Sequence, residues 1–231
     1  MLYGTGGDDR LSLGAGNDTF IGAGGADLIY GNQDDDSLAG GGGADTLYGG
    51  QGNDSVAGGQ GDDRLFGNIG ADVAYGNQGN DVVYGNQGAD TLYGGQGNDI
   101  VFGGQNDDVV YGNLGADVVY GNKGNDLLYG GQGDDVLYGG QGDDILIGGL
   151  GDNILVGGLG ADLYRFSANA AHDLIFGFSE SDGDRIDLQG QTFTLGTAGD
   201  GDALLLLSGG GSVQVAGVST ATFGNGAGYL A

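Results

Sequence analysis

Apolar side chains recur every nine residues along the first 165 residues of the chain. In the eighteen consecutive nonapeptides of Gly4–Arg165, the eighth position is aliphatic or aromatic, as at Leu11 and Phe20, and Ala74 is its smallest occupant. Because alternate residues of a strand point to opposite faces, this pattern predicts a very short strand over positions 7 to 9 whose middle residue points inward. A fixed short period without insertions is typical of one supersecondary unit that is repeated and stacked.

The first six positions of each nonapeptide predict a sharp turn. Glycine occupies position 1 in 17 of the 18 units, Leu13 being the exception, and glycine or asparagine occupies position 2 in 16 of them. Position 4 is glycine except at Asp34 and Asn106. These residue types tolerate positive φ, so we expect turns whose carbonyl groups point inward. Two units, strand facing strand, would form one rung, and nine rungs about 4.8 Å apart would make a prism roughly 43 Å long.

The composition indicates that a bound cation completes the fold. Of 231 residues, 59 are glycine, none is proline, and the formal net charge is −27. Long apolar side chains are sparse, so hydrophobic burial is not expected to offset charge repulsion and the entropy of ordering so much glycine. Only four arginines and Lys123 oppose the acidic residues, which excludes nucleic acid as a direct partner. No apolar run approaches the roughly 20 residues of a membrane span.

The sixth position of the nonapeptide predicts which cation binds. It is aspartate in every unit except the one that holds Asn153. Carboxylates stacked about 4.8 Å apart repel by about 0.9 kcal/mol even at the dielectric constant of water, so counter-ions are needed between them. Carboxylate and carbonyl oxygens in irregular cages favour Ca²⁺ over the smaller, octahedral Mg²⁺. Zinc has no suitable ligand set, because the chain lacks cysteine and His172 is its single histidine.

The units GGQGNDSVA, GGQGDDRLF, GGQGDDVLY and GGQGDDILI resemble the calcium-binding nonapeptides of the RTX (repeats-in-toxin) family. The resemblance implies an all-β fold, with a parallel β-roll of two nonapeptides per turn over residues 1–165. It also implies that each Ca²⁺ lies between turns two repeats apart, held by position-6 aspartates and turn carbonyls, which allows up to 16 ions in 18 repeats. Carried onto this chain, the metal ligands are Asp9, Asp18, Asp27, Asp36, Asp45, Asp54, Asp63, Asp72, Asp81, Asp90, Asp99, Asp108, Asp117, Asp126, Asp135, Asp144 and Asp162.

Two positions of the repeat depart from a uniform ladder. Asn153 keeps an oxygen but loses the charge, so the gap that it shares with Asp135 is expected to bind calcium more weakly. Position 5 varies, as at Asn17, Ala26 and Asp62, which indicates a role that faces solvent or supports the ligands from behind.

Residues 166–231 are predicted to form a small C-terminal β cap. Their first part, FSANAAHDLIFGFSESDGDRIDLQG, resembles the ending of RTX proteins, where an aspartate-rich stretch closes the roll. The segments 204–207 and 213–215 flank a glycine turn at 209–211 and read as hairpin strands. The resemblance also implies a C-terminal signal for type I secretion, which agrees with a start, Met1–Thr5, that has no Sec-type signal features.

The residues that common enzymes need are scarce in this sequence. A single histidine excludes HExxH and other two-histidine metal sites, and neither a Gly-x-Ser-x-Gly elbow nor a cysteine nucleophile is present. His172 beside Asp173 is interpreted as a structural or surface residue of the cap. Glu180 with Asp182 and Asp184 is interpreted as a solvated loop or an extra calcium site. We therefore expect no enzymatic activity.

Aromatic residues at position 9 are predicted to stack into two ladders on the outer faces of the roll. Position 7 beside them is largely apolar in the second half of the chain, so both faces present apolar strips. Such strips mark contact surfaces in many proteins, but same-face stacking can also serve only to stabilise neighbouring rungs, and both alternatives stay open here. One ladder comprises Tyr30, Tyr48, Phe66, Tyr84, Phe102, Tyr120 and Tyr138, and the other comprises Tyr75, Tyr93, Tyr111 and Tyr129.

The sequence favours a secreted, calcium-binding structural protein of a bacterial cell surface or extracellular matrix. Met1, Leu2 and Tyr3 match the last three positions of a unit, so the roll is expected to begin at residue 1 with an open rung that pairs head to tail with another copy. The alternative is a calcium-dependent export and folding module of a larger secreted RTX enzyme, toxin or adhesin. Ice or ligand binding by the turns is disfavoured, because position 3 is glutamine in half of the units and does not form a threonine ladder.

Overall fold

The computed structural model describes residues 1–168 and 171–224, which form two sheets that face each other across a core. Both sheets are parallel along the repeats. The 11-stranded sheet contains β1 (Leu2–Tyr3), β3 (Thr19–Ile21), β5 (Ser37–Gly42), β7 (Ser55–Gln60), β9 (Val73–Gln78), β11 (Thr91–Gln96), β13 (Val109–Leu114), β15 (Leu127–Gln132), β17 (Ile145–Leu150), β19 (Leu163–Arg165) and β21 (Arg185–Asp187). The 13-stranded sheet contains β2 (Arg10–Ala15), β4 (Leu28–Gln33), β6 (Thr46–Gln51), β8 (Arg64–Ile69), β10 (Val82–Gln87), β12 (Ile100–Gln105), β14 (Val118–Lys123), β16 (Val136–Gln141), β18 (Ile154–Leu159), β20 (His172–Phe176), β24 (Ser212–Ser219), β23 (Asp202–Leu207) and β22 (Phe193–Thr197).

Strands β1 to β21 alternate between the two sheets along the chain, which confirms the predicted parallel β-roll with two nonapeptides per turn. Within each sheet, residues 18 apart are direct neighbours, as in the pairing of Leu47 with Leu65. The position-8 residues from Phe20 to Tyr164 are all buried and form one continuous core. The period of nine residues therefore sets both the register and the core.

The strands are longer than the sequence pattern predicts. Most span six residues, because positions 7 to 9 of one unit continue into positions 1 to 3 of the next, as in β8 (Arg64–Ile69). Position 2 carries much of the positive φ, for example 87° at Asn32, and position 4 does so at Gly52, with 128°. Position 1 does not adopt positive φ, so glycine is present there because a β-carbon would collide with neighbouring atoms. The prediction of a six-residue turn was wrong, because the turn and strand residues overlap.

The parallel stacking continues beyond the last regular nonapeptide. Strand β20 extends the 13-stranded sheet, with Leu174 opposite Ile154, and β21 extends the 11-stranded sheet, with Ile186 opposite Tyr164. The antiparallel strands β22, β23 and β24 then close the 13-stranded sheet and confirm the predicted hairpin. A short helix, α1 (Thr220–Gly224), packs against these strands. Residues 169–170 and 225–231, which belong to the predicted cap and secretion segment, lie outside the described residues.

Candidate metal centre

The position-6 carboxylates form two stacks, one along each turn edge of the roll. From Asp27 to Asp162 these residues are at most 3% exposed, whereas Asp9 and Asp18, in the first rung, are only partly buried. Each buried side chain is fixed by a backbone bond from the rung before it. The N–H of Asp72, for example, donates to Oδ1 of Asp90 at 2.8 Å. This pattern holds one carboxylate oxygen of every rung in a constant orientation.

The second carboxylate oxygen, Oδ2, is buried and has no hydrogen-bond partner. This is true of every position-6 aspartate from Asp27 to Asp162 among the described residues, and of Asp173 in the cap. A buried carboxylate oxygen without a partner is costly unless a cation or a proton satisfies it. Each of these nonapeptides therefore contributes one carboxylate oxygen that has no hydrogen-bond partner.

Glycine at position 1 creates the space beside this oxygen. A β-carbon built on Gly103 would lie 2.6 Å from Oδ2 of Asp108 and 2.9 Å from the carbonyl oxygen of Gly121 in the next rung. The same two kinds of oxygen border the position-1 glycine in most other rungs. The space is thus lined by a carboxylate and a carbonyl from adjacent rungs, and any side chain would fill it.

Burial raises the pKa of these aspartates well above their ordinary range. Desolvation is the main cause, and neighbouring carboxylates add to it, while the backbone hydrogen bond from the preceding rung lowers the pKa. The pKa of Asp54 is raised to about 6, that of Asp63 to about 7 and that of Asp108 to about 8. Near neutral pH these carboxylates need a positive charge close by to remain ionised.

This oxygen set fits Ca²⁺. In the described parts of the chain, no group of three or more histidine, cysteine or acidic side chains could hold a metal ion by side chains alone. The candidate sites depend instead on one carboxylate together with backbone carbonyls, which are hard oxygen ligands in a pliable, irregular cage. Such a cage suits Ca²⁺ better than Mg²⁺ or a transition metal.

Near its C-terminal end, the stack beside the 13-stranded sheet carries an amide in place of a carboxylate. Where other rungs carry Oδ2, Asn153 places its side-chain nitrogen, which donates to Oδ1 of Asp173 at 2.8 Å and to the carbonyl of Gly151 at 3.1 Å. Its Oδ1 accepts the N–H of Asp135, as an aspartate would. The amide nitrogen thus makes two hydrogen bonds at the place where other rungs carry a carboxylate oxygen without a partner. The weaker calcium binding expected from the sequence stays a prediction.

Near the C-terminal end of the other stack, a phenol borders the carboxylate. The hydroxyl of Tyr164 accepts the N–H of Gly157 at 2.9 Å and borders the space beside Oδ2 of Asp162, where earlier rungs have a glycine carbonyl. Burial raises the pKa of Tyr164. Tyr164 is the position-8 residue of the last unit, so its inward direction follows from the repeat, but the role of its hydroxyl does not.

Asp173 and Asp184 extend the two carboxylate stacks into the cap, and sequence reasoning missed them as ladder members. Oδ1 of Asp173 accepts the N–H of Asn153, and Oδ1 of Asp184 accepts the N–H of Asp162. A signal was present: Asp173-Leu174-Ile175-Phe176 repeats the order of types in Asp27-Leu28-Ile29-Tyr30. The insertions that precede them, of two and four residues relative to the 18-residue spacing, hid the match.

Position 5 forms a separate ladder of hydrogen bonds wherever it is aspartate or asparagine beyond the first rung. Oδ1 of Asn98 accepts the N–H of Ala116 at 2.9 Å, and the N–H of Asn98 donates to Oδ1 of Asn80. These side chains are exposed and join adjacent rungs directly. The role of position 5, which the sequence left open, is therefore to hydrogen-bond one rung to the next.

The repeats match a known family. A family model for the RTX calcium-binding nonapeptide repeat, in four copies, matches residues 3–38, 30–65, 39–74, 66–101, 75–110, 93–128, 102–137 and 129–164. Among solved structures, the AlgE6R3 subunit of the mannuronan C5-epimerase from Azotobacter vinelandii is similar at 24% identity and a TM-score of 0.35, over 59% of this chain and 78% of that chain. A search of the curated proteins found no match. No helix in the described ranges is long and apolar enough to cross a membrane.

Proposed function

Because the chain belongs to the RTX calcium-binding nonapeptide repeat family, we propose that it is a secreted, calcium-folded structural protein of a bacterial cell surface or extracellular matrix. In this function the aspartates from Asp9 to Asp162 hold Ca²⁺ between rungs, up to about 16 ions, and the loaded roll self-associates into filaments or layers. The protein has no catalytic role. Calcium withheld inside the cell and supplied outside it would couple export to folding, because metal binding supplies folding free energy.

The observation that supports self-association most directly is the pair of aromatic ladders on the outer faces. Seven rings stack on the 13-stranded sheet and four on the 11-stranded sheet, with neighbouring centroids 4.5 to 4.9 Å apart. Tyr75 is 39% exposed, and apolar position-3 residues such as Ile69 and Leu114 are exposed on the same faces. Contiguous apolar surface of this kind favours contact with another molecule.

The first rung offers a second contact. Strand β1 pairs only with β3, and β2 pairs only with β4, so their other edges present unpaired backbone groups in the described residues. Leu2 and Tyr3 are exposed there. An open parallel edge is a template for a further strand, which another copy can supply in a head-to-tail contact that does not close.

The same open edge favours the alternative function. A folding and export module of a larger secreted protein would have this edge covered by a segment that precedes residue 1. The two functions differ in what lies next to the first rung: a second copy in one, a covalently attached domain in the other. The upstream reading frame of the gene distinguishes them directly.

Sedimentation and electron microscopy of the untagged chain test the proposal. In millimolar calcium we expect filaments or sheets, and in chelator an expanded monomer. A folded domain fused before Met1 should block head-to-tail growth. Replacing Tyr75 and Tyr138, the most exposed rings of the ladders, by serine should reduce lateral packing while leaving single filaments. A calcium-loaded chain that stays monomeric at high concentration would contradict the proposal.

A further inference from the structure

The stacked tyrosines of adjacent rungs are held in nearly parallel contact. In the four-ring ladder, the ring planes of Tyr75 and Tyr93 make an angle of 5° with centroids 4.9 Å apart, and those of Tyr93 and Tyr111 make 3° at 4.8 Å. Tyr111 and Tyr129 follow at 4.7 Å. Each pair joins residues 18 apart, which are backbone neighbours in the sheet. The contacts are therefore fixed by the fold and not by flexible side chains.

These rings are also within reach of solutes. Tyr75 and Tyr138 are 39% and 37% exposed, and the other tyrosines of the two ladders are partly buried. A tyrosine that is partly exposed and stacked on a second tyrosine meets the two needs of oxidative coupling, which are access for a one-electron oxidant and a partner ring at contact distance.

We propose that adjacent ladder tyrosines are sites of oxidative cross-linking, at which dityrosine bonds join neighbouring rungs of the roll. The oxidant is a peroxide used by a haem peroxidase. Each of two phenols loses one electron and one proton, and the resulting phenoxyl radicals form a carbon–carbon bond between ring carbons next to the hydroxyl-bearing carbons. The hydrogen on each coupled carbon then moves to the oxygen. Each link removes two hydrogen atoms from the protein, and one hydrogen peroxide is reduced to two waters.

Phenylalanine makes the pattern of links specific. In the seven-ring ladder, Phe66 and Phe102 lie on either side of Tyr84, so Tyr84 has no tyrosine neighbour in its ladder. The pairs that remain are Tyr30–Tyr48, Tyr75–Tyr93, Tyr93–Tyr111, Tyr111–Tyr129 and Tyr120–Tyr138. This inference needs only the folded roll, and it does not depend on the proposed function.

The test is peptide mapping of the full chain after brief treatment with peroxidase and hydrogen peroxide in millimolar calcium, at a dilution that keeps it monomeric. We expect dityrosine fluorescence and mass losses of two hydrogens per link, at those five pairs. Tyr93→Phe should abolish every link to Tyr75 while Tyr111–Tyr129 persists. Phenylalanine already stacks in the other ladder, so this variant should fold.

Tyr84→Phe is the matched control, because it removes a ladder tyrosine that has no tyrosine neighbour, and it should leave the yield of links unchanged. In chelator the specific pairs should disappear. After linking, removal of calcium should leave the chain more compact on size exclusion than the unlinked chain. Links at random pairs, links only between molecules, or equal losses in the Tyr93→Phe and Tyr84→Phe variants would overturn the proposal.

Discussion

Glycine at position 1 and aspartate at position 6 act together at the scale of single residues. The carboxylate turns one oxygen to the backbone of the preceding rung and leaves the other in the space that the glycine opens. Leu13 is the one side chain at position 1, and it lies in the first rung, where Asp18 is only partly buried. The first rung therefore has the set of glycine, carboxylate and carbonyl on one side only, at Gly4 beside Asp9.

Gly103→Ala should disrupt one cation site without a backbone conflict. The glycine does not have positive φ, so the loss arises from the new methyl group, which meets Oδ2 of Asp108 and the carbonyl of Gly121. We expect fewer bound ions by calorimetry and a lower melting temperature in calcium. Gly42→Ala is the control, because its β-carbon has only an ordinary contact at 3.9 Å. Equal effects of the two substitutions would show that this space does not hold the ion.

Asp90→Ala should be more harmful than Asp9→Ala. Asp90 accepts the N–H of Asp72 and lies between two rungs, so its loss leaves a buried donor unpaired, at a cost of about 1–3 kcal/mol, in addition to the lost calcium contacts. Asp9 lies at the partly exposed first rung and accepts only from Thr5 of its own turn. Calcium titrations and thermal melts compare the two, and equal losses would argue against a continuous ladder.

Position 6 could be predicted from the sequence because a charged residue at a fixed period has one simple explanation, a stack of carboxylates. The reason for glycine at position 1 could not be predicted. Glycine is favoured both where the backbone has positive φ and where other atoms approach the α-carbon closely, and the sequence does not tell these two causes apart. Asp173 was missed because irregular insertions break the period before it, although the backbone pairing does not need equal spacing. From the sequence, Asn153 is expected only to be a weaker ligand. Its hydrogen bond to Asp173 could not be predicted, because only the fold brings these two residues together.

Two hydrogen-bond ladders connect neighbouring strands at the scale of the element. At position 6 the side chain accepts from the rung before it, and at position 5 it accepts from the rung after it. Alanine at position 5, as at Ala71 and Ala89, interrupts only the outer ladder. The inner ladder orients the carboxylates, and the outer ladder adds stability that does not depend on the cation.

Asn98→Ala tests this division. The change removes the acceptor for the N–H of Ala116, which is exposed enough to bond to water, so we expect a loss of about 0.5–1.5 kcal/mol in calcium-loaded stability. The number of bound ions should stay the same. Asn98→Asp is the matched control, since Asp143 natively makes the same bond to Ala161. A change in calcium stoichiometry in the alanine variant would assign position 5 to the metal sites.

Charge dominates the behaviour of the whole molecule. The chain carries −27, and sixteen divalent ions would add +32. Ionising a buried carboxyl at pH 7 when its pKa has been raised from 3.8 to about 6 costs roughly 3 kcal/mol. Repeated along the ladder, this cost exceeds the roughly 5–15 kcal/mol by which a typical domain is stable. We therefore expect the metal-free roll to be unstable at neutral pH, and calcium to remove this penalty by pairing with the ionised carboxylates.

The dependence of folding on pH should accordingly have opposite signs with and without calcium. Because the pKa values are raised from 3.8 to about 6 to 8, the metal-free roll is favoured when its aspartates are protonated, and this stabilisation is lost progressively as pH rises from about 4 to about 8. In chelator, circular dichroism should show more β-structure at pH 4 than at pH 7.5.

With calcium, folding at pH 7.5 should be cooperative between roughly 10⁻⁴ and 10⁻³ M. That midpoint should hold steady to about pH 6 and rise toward pH 4, because aspartates of the unfolded chain titrate near 3.9. A midpoint that rises tenfold between pH 7.5 and pH 6 would reveal a preformed metal-free roll, and equal β-content in chelator and millimolar calcium at pH 7.5 would contradict calcium-gated folding.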